Sequence, residues 1–287
     1  MIKFGPSGNS ESFYEEGYKN TIQAAKWVKD KGLNAFEYSF GKGYILSSET
    51  AKEIGEEFKK QGVSLSLHAP YFINFANPDD VMYEKTKGYI RTGIKFLNLM
   101  GANRLVFHPA SCGKLSRQEA VDLTYRRLKE FLGELEEENL LDGIYLCPET
   151  MGKSMQIGTY KEVIDFCTIN KHLVPTFDFG HINALTQGSL KSSEDYEEIV
   201  KYCLEKLGEE RTKIMHVHFS KIEYGPKGEI RHLNFDDQQY GPNFEDFAPV
   251  IVKYNLKPTI ICESSGHMAE DALEMMEIYN NLNKLNK

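Results

Sequence analysis

Short apolar, β-branched or aromatic runs alternate along the chain with longer charged segments of helical period. The runs are IKFGPS (2–7), LNAFEYSF (33–40), VSLSLHAP (63–70), RLVFHPAS (104–111), IYLCPET (144–150), LVPTFDFGH (173–181), IMHVHFS (214–220) and TIICESS (259–265). Between them lie segments such as TIQAAKWVKDKG and SSETAKEIGEEFKKQG. In the second, Ser48 supplies a capped start, Ala51, Ile54 and Phe58 form an apolar stripe, and Gly62 marks the stop. Strand–helix alternation implies a parallel sheet with right-handed crossovers. Eight repeats in a chain of 287 residues predict one closed (β/α)₈ barrel, a single TIM-barrel domain over 1–287. A doubly wound sheet has fewer strands and a glycine-rich first turn, and GPSGNS does not match G-x-G-x-x-G.

Composition narrows the class. The chain is 41% hydrophobic and 26% charged, with a mean hydropathy of −0.45. No run approaches the roughly 20 apolar residues that span a bilayer, and MIKFGPSGNS has no apolar signal core. Five scattered cysteines (Cys112, Cys147, Cys167, Cys203, Cys262) without C-x-x-C argue against a disulfide framework or a thiolate zinc site, so a cytoplasmic location is expected. The formal net charge of −8 argues against a polyanionic partner unless bound cations offset it locally. The acidic run GELEEENL (133–140) reads as a solvated helix end.

Placed on a barrel, the polar residues gather at one end. His68, His108 and His181 close the third, fourth and sixth runs, and His216 and His218 lie near the end of the seventh. His232 and His267 follow the seventh and eighth, and only His172 falls on the opposite face. Glu149, Asp178 and Glu263 end the fifth, sixth and eighth runs. Barrel enzymes build their sites at this C-terminal face. Three carboxylates converging there repel one another and lose solvation, which costs several kcal/mol per unpaired buried ion. Lys221 is the nearest cation, so divalent metal is expected, and imidazole–carboxylate sets without thiolate favour zinc, manganese or iron. The candidate ligands are His68, His108, Glu149, Asp178, His181, His216, His232 and Glu263. One ion takes about four protein ligands, so two or three ions are expected.

These motifs, in this order, resemble the endonuclease IV family of apurinic/apyrimidinic (AP) endonucleases. The resemblance runs through HAPYFIN (68–74), HPAS (108–111), ETMG (149–152), DFGHINA (178–184), HVHFSK (216–221) and CES (262–264). It implies a trinuclear zinc site, with Mn²⁺ the alternative metal, that hydrolyses DNA 5′ to abasic sites in base-excision repair. Carried over, His68, His108 and Glu149 hold one ion, and Glu149, Asp178, His216 and Glu263 the second. His181 and an Asp-x-His pair hold the third. Glu149 is the implied general base, with Glu263 the other catalytic carboxylate. Tyr71 and Phe72 match residues that enter the minor groove beside an extruded nucleotide, and Lys42 and Lys221 add to the local positive field. DNA containing abasic sites is the implied partner, with no membrane and no obligate protein partner.

Two departures stand out. Where the family has Asp-x-His, this chain reads GEIRH (228–232), so Glu229 pairs with His232 only if the loop bulges, and Asp236 and Asp237 are further candidates. The segment GKGYILS (41–47) lacks the arginine that the family inserts into DNA. The chief alternative is a single-metal sugar isomerase or ketose 3-epimerase. There Glu149, Asp178, His216 and Glu263 would hold one Mn²⁺, Mg²⁺ or Co²⁺, and Glu149 and Glu263 would exchange the proton. His68 and His108 have no required place in that scheme. A non-catalytic module binding damaged DNA or a small polar ligand is the third reading.

Overall fold

The computed structural model describes residues 1–285. Eight parallel strands lie inside the eight expected runs: Lys3–Pro6, Ala35–Ser39, Ser64–His68, Arg104–Phe107, Tyr145–Pro148, Thr176–Asp178, His216–Phe219 and Thr259–Cys262. The second to fifth pair in order, as do the sixth, seventh, eighth and first. Parallel bridges close the two seams, Ser7 to Glu37 on one side and Leu146 to Leu173 and Glu149 to Thr176 on the other. The barrel is therefore complete, and each strand is followed by an outer helix. No helix among the described residues is long and apolar enough to cross a membrane.

Local chemistry accounts for the helix boundaries. The second outer helix, Ser48–Gln61, is capped by Ser47 rather than Ser48: the Ser47 hydroxyl accepts from the Thr50 amide, and Gly62 ends the helix in the left-handed conformation at φ 70°. The apolar faces of the outer helices and the outward faces of the strands form the main core. The acidic run after Gly133 is not merely solvated, because Glu134 and Glu138 pair with Arg91 and Glu134 also pairs with Lys87 across the helix interface.

Inside the barrel, a small apolar cluster joins Val106 and Cys147, two residues before His108 and Glu149, to Val174, just before the sixth strand. Two further features position the C-terminal face. The segment after the sixth strand turns at once into a short helix, Phe179–Leu185, so His181 is helical and not strand. After the seventh strand, Lys221–Gly225 and Gly228–Leu233 form an antiparallel hairpin that lies outside the eight apolar runs.

Barrel closure depends on Gly5. A Cβ there would sit 1.8 Å from the Ala35 carbonyl oxygen, so only a residue without a side chain lets the first strand approach the second. Gly5→Ala should therefore destabilise the protein by about 1–3 kcal/mol or more. Urea unfolding checks this, and an unchanged midpoint would contradict the close approach.

Candidate metal centre

The site begins with Asp178. It ends the sixth strand and caps the helix that follows: its Oδ1 accepts the His181 amide at 2.7 Å. This N-cap geometry places the His181 side chain, three residues on, beside its own capping carboxylate. Asp178 Oδ2 is left buried without a hydrogen-bond partner, 3.3 Å from His181 Nδ1. Thr150, in ETMG, ties the fifth strand end to the sixth, accepting from the Asp178 amide at 2.8 Å and donating to the Asp178 carbonyl at 3.2 Å.

Glu149 stands at the centre with 1% exposure. Its Oε2 lies 3.0 Å from His68 Nε2 and 3.3 Å from His108 Nε2. Its Oε1 lies 3.3 Å from His181 Nδ1 and 3.4 Å from His218 Nδ1. Each oxygen thus faces a different pair of imidazoles. His68 donates from Nδ1 to the Ala69 carbonyl at 2.8 Å, which turns Nε2 toward Glu149. Glu263 follows the eighth strand, and its Oε1 accepts from the Ser7 hydroxyl at 3.2 Å and lies 3.6 Å from His218 Nδ1.

Three groups of side chains at this face could hold an ion: His68, His108 and Glu149; Glu149, Asp178, His218 and Glu263; and His181, Glu229 and His232. In each, the donor atoms lie within 4.8 Å of one another. The orphaned Asp178 Oδ2 and His218 Nδ1, both facing the second group, suit a divalent cation, which would satisfy oxygen and nitrogen lone pairs together.

One expected ligand is corrected. His216 does not join the group; His218 does. Both face the barrel interior, but the register sets His218 level with Asp178 and His216 level with Thr176, one layer deeper. His216 instead contacts Glu37, with Nε2 3.0 Å from Oε2. Glu37 was missed altogether, because a lone glutamate inside the apolar run AFEYS matches no motif.

Glu229 takes part through the bulge that its spacing requires. In the hairpin, Glu223 pairs with Arg231 and Tyr224 with Glu229, leaving Ile230 as the extra residue. That residue puts Glu229 and His232, three apart, on the same face. His232 Nδ1 pairs with the Ser220 hydroxyl at 2.9 Å, and Glu229 Oε2 lies 3.5 Å from His181 Nε2. Gly152 makes the docking possible, since a Cβ there would press on Glu229 and His181 at 2.8 Å.

Other candidates fall outside the three groups. Asp236 is exposed near His267, and Asp237 accepts the amides of Gln239 and Tyr240. Lys221 is buried, donating Nζ to the carbonyls of Phe235 and Asp237, so it braces a loop and does not present its charge at the mouth. Lys42 is exposed. Tyr71 and Phe72 are 59% and 55% exposed. The Tyr71 ring lies over His108 at 5.2 Å, and Phe72 packs near Tyr89. Tyr71, Arg231, His232, Asp236 and Glu263 line an open pocket of about 810 Å³ over the centre.

Electrostatics follow from this crowding. Burial alone would raise the Glu149 carboxyl, but His108 and His218 outweigh it and hold it well below the usual range. Burial pushes Asp178 up to about 6 against the pull of His181. Burial lowers His181, yet Asp178 and Glu149 carry it to about 10. His68 is likewise pulled down by burial but raised by Glu149 to about 8. Burial prevails at His108, which is lowered.

A pH dependence follows for metal-stripped protein. His68 and His181 are raised above the free imidazole value, so their stabilisation is full below about 6.5. It is lost as pH climbs through about 8 and then about 10. Asp178, also raised, loses stability in the same direction between about 4 and 6. Urea unfolding of the stripped protein should show stability falling from pH 6.5 to 10. Metal loading should reverse that slope over the lower part of the range, because ligand imidazoles must shed their protons. A flat profile in the stripped protein would contradict the histidine–carboxylate contacts.

Comparison with known proteins agrees with this architecture. The family model described as xylose isomerase-like TIM barrel matches residues 25–281. An uncharacterized protein of Methanocaldococcus jannaschii is 33% identical over 287 residues, covering 98% of both chains. A probable endonuclease 4 of Aquifex aeolicus is 23% identical, covering 71% of this chain and 74% of its own. Among solved structures, a D-tagatose 3-epimerase-like protein superposes with a TM-score of 0.74 at 20% identity, covering 99% of each chain. Endonuclease IV from Thermus thermophilus superposes with 0.62 at 15%, covering 97% of this chain and 98% of that one. At these identities the superpositions speak for the fold alone. The match over nearly the whole barrel, with eight strands closed around a polar C-terminal face, places this chain in the xylose isomerase-like TIM-barrel family.

Proposed function

We propose that the chain is a metal-dependent phosphodiesterase that hydrolyses DNA on the 5′ side of abasic sites. The observation that carries this reading is the double use of Glu149, one oxygen facing His68 and His108 and the other facing His181 and His218. A carboxylate so placed would be shared between two ion sites. His68, His108 and Glu149 would hold one, Glu149, Asp178, His218 and Glu263 a second, and His181, Glu229 and His232 a third. The nitrogen–oxygen donor sets suit zinc, with manganese as the substitute. Divalent ions held there would supply an activated water and charge stabilisation for phosphodiester hydrolysis.

The chain's own residues divide the remaining work. Both Glu149 oxygens are engaged and the side chain is 1% exposed, so its part is to bridge and not to accept a proton from incoming water. Of the carboxylates in the three groups, Glu263 is the one that lines the pocket, with 18% side-chain exposure. Ser7 holds its Oε1, leaving Oε2 to take the proton. Tyr71 and Phe72, exposed at the rim, supply an aromatic wedge against an unstacked nucleotide. The grip on DNA rests on few cations, since Lys221 is spent on the loop and Arg231 is paired with Glu223. Binding should therefore be modest and steeply weakened by salt.

A second reading has its own support: Glu149, Asp178, His218 and Glu263 alone make a complete single-metal set, and the D-tagatose 3-epimerase-like structure shares the fold. His68 and His108, which converge on the Glu149 oxygen facing away from His218, favour the cluster.

A duplex oligonucleotide carrying one tetrahydrofuran abasic analogue separates the two, because the analogue cannot undergo β-elimination. Wild type should cut immediately 5′ to it, chelation should stop cutting, and Glu149→Gln should slow it by on the order of 100-fold or more. Absence of cutting by a preparation holding one ion per chain, with epimerisation of a ketose instead, would overturn the nuclease reading.

A further inference from the structure

Directly beneath the metal centre lie two buried polar residues, Glu37 and His216, that the proposed reaction does not use. Glu37, on the second strand, is wholly buried, as are His216 and His218 on the seventh. The second and seventh strands are separated by the first and eighth, so their contact crosses the barrel interior. Glu37 Oε2 accepts from the Ser66 hydroxyl at 2.8 Å and lies 3.0 Å from His216 Nε2. Glu37 Oε1 lies 2.9 Å from His218 Nε2, with an approach too oblique to satisfy either atom. The other nitrogen of His218, Nδ1, is also without a hydrogen bond and faces Glu149 Oε1 and Glu263 Oε1 at 3.4 and 3.6 Å.

His218 is therefore held between a carboxylate below and a ligand group above. An imidazole has one donor and one acceptor nitrogen when neutral, and the partner of one nitrogen decides which form it takes. The geometry points to Glu37 as the positioning residue of the metal centre: it takes the Nε2–H of His218, so that the Nδ1 lone pair is presented to the ion at Glu149, Asp178 and Glu263. Ser66 and His216 fix the carboxylate from its other oxygen, which sets its plane and keeps Oε1 aimed at His218. The histidine pair thus has two different jobs, His218 as ligand and His216 as support for the group that orients it. This inference rests on the metal-binding reading of the Glu149, Asp178, His218 and Glu263 set.

The arrangement resembles an ion site itself, since Glu37, His216 and His218 bring three donors together. Two observations favour a positioning role. Oε2 already accepts from Ser66 and His216, and all three groups are sealed from solvent with no opening onto the pocket.

The test uses the full-length protein, metal-stripped and titrated with Zn²⁺. Glu37→Met, which keeps the size and removes both acceptors, should weaken one ion by about 10–100-fold and leave the others unchanged. Glu37→Gln keeps an acceptor within reach of His218 and should stay within a few-fold of wild type. Independently of any variant, long-range ¹H–¹⁵N spectra of the zinc-loaded wild type should show His218 in its Nε2–H form. This readout stands even if Glu37→Met fails to fold, and loss of packing alone would not alter it. An Nδ1–H form, unchanged affinity in a folded Glu37→Met, or an ion bound by Glu37 and His216 would each overturn the inference. A wild-type chain that binds no ion would overturn the metal reading itself, and the inference with it. Metal binding that is indifferent to Glu37 would overturn the inference alone.

Discussion

A carboxylate with four imidazoles around it governs this molecule. Glu149 is 1% exposed, and a buried charge that lacks compensation costs several kcal/mol. The barrel supplies the compensation from four directions, through the third, fourth and seventh strands and the helix after the sixth. No local stretch of chain could do this. Closure of the eight strands brings His68, His108, His181 and His218 to one residue, so the stability of the fold and the assembly of the site are one problem. Asp178 shows the economy involved, since one oxygen caps a helix while the other is left for the centre.

The interior below is correspondingly polar. Many barrels fill this space with layers of branched apolar side chains. Here Val106, Cys147 and Val174 occupy one side, and Glu37, Ser66 and His216 the other. Such a layer tolerates little freedom, because each polar group must keep its partner in a medium of low dielectric. It gives His218 a rigid support on the side that water cannot reach. Above, the hairpin from Lys221 to Leu233 brings Glu229 and His232 over His181, and Gly152 leaves room for that approach.

Much of this was legible in the chain. Alternating apolar runs located all eight strands, and their last polar residues marked the C-terminal face. The spacing of Asp178 and His181 already contained the cap geometry that joins them. What escaped depends on register and on distant packing. His216 and His218 share a strand face, and only the pairing with Asp178 decides which is level with the centre. Glu37 lay hidden in an apolar run because its partner His216 is 179 residues away. Glu229 needed a bulge at Ile230 that the spacing demanded but no residue type announced. The run YGPKGE carries turn residues that signal a hairpin, and attention to it would have anticipated the folding back of the loop that buries Lys221.

The central claim is that Glu149 joins two ion sites. Anomalous diffraction from crystals of the protein with its native metal, collected above the absorption edge of that metal, tests it most directly. The account predicts separate peaks on the two sides of Glu149, one bounded by His68 and His108 and the other by Asp178, His218 and Glu263. A single peak within the latter set, with none beside His68 and His108, would contradict it.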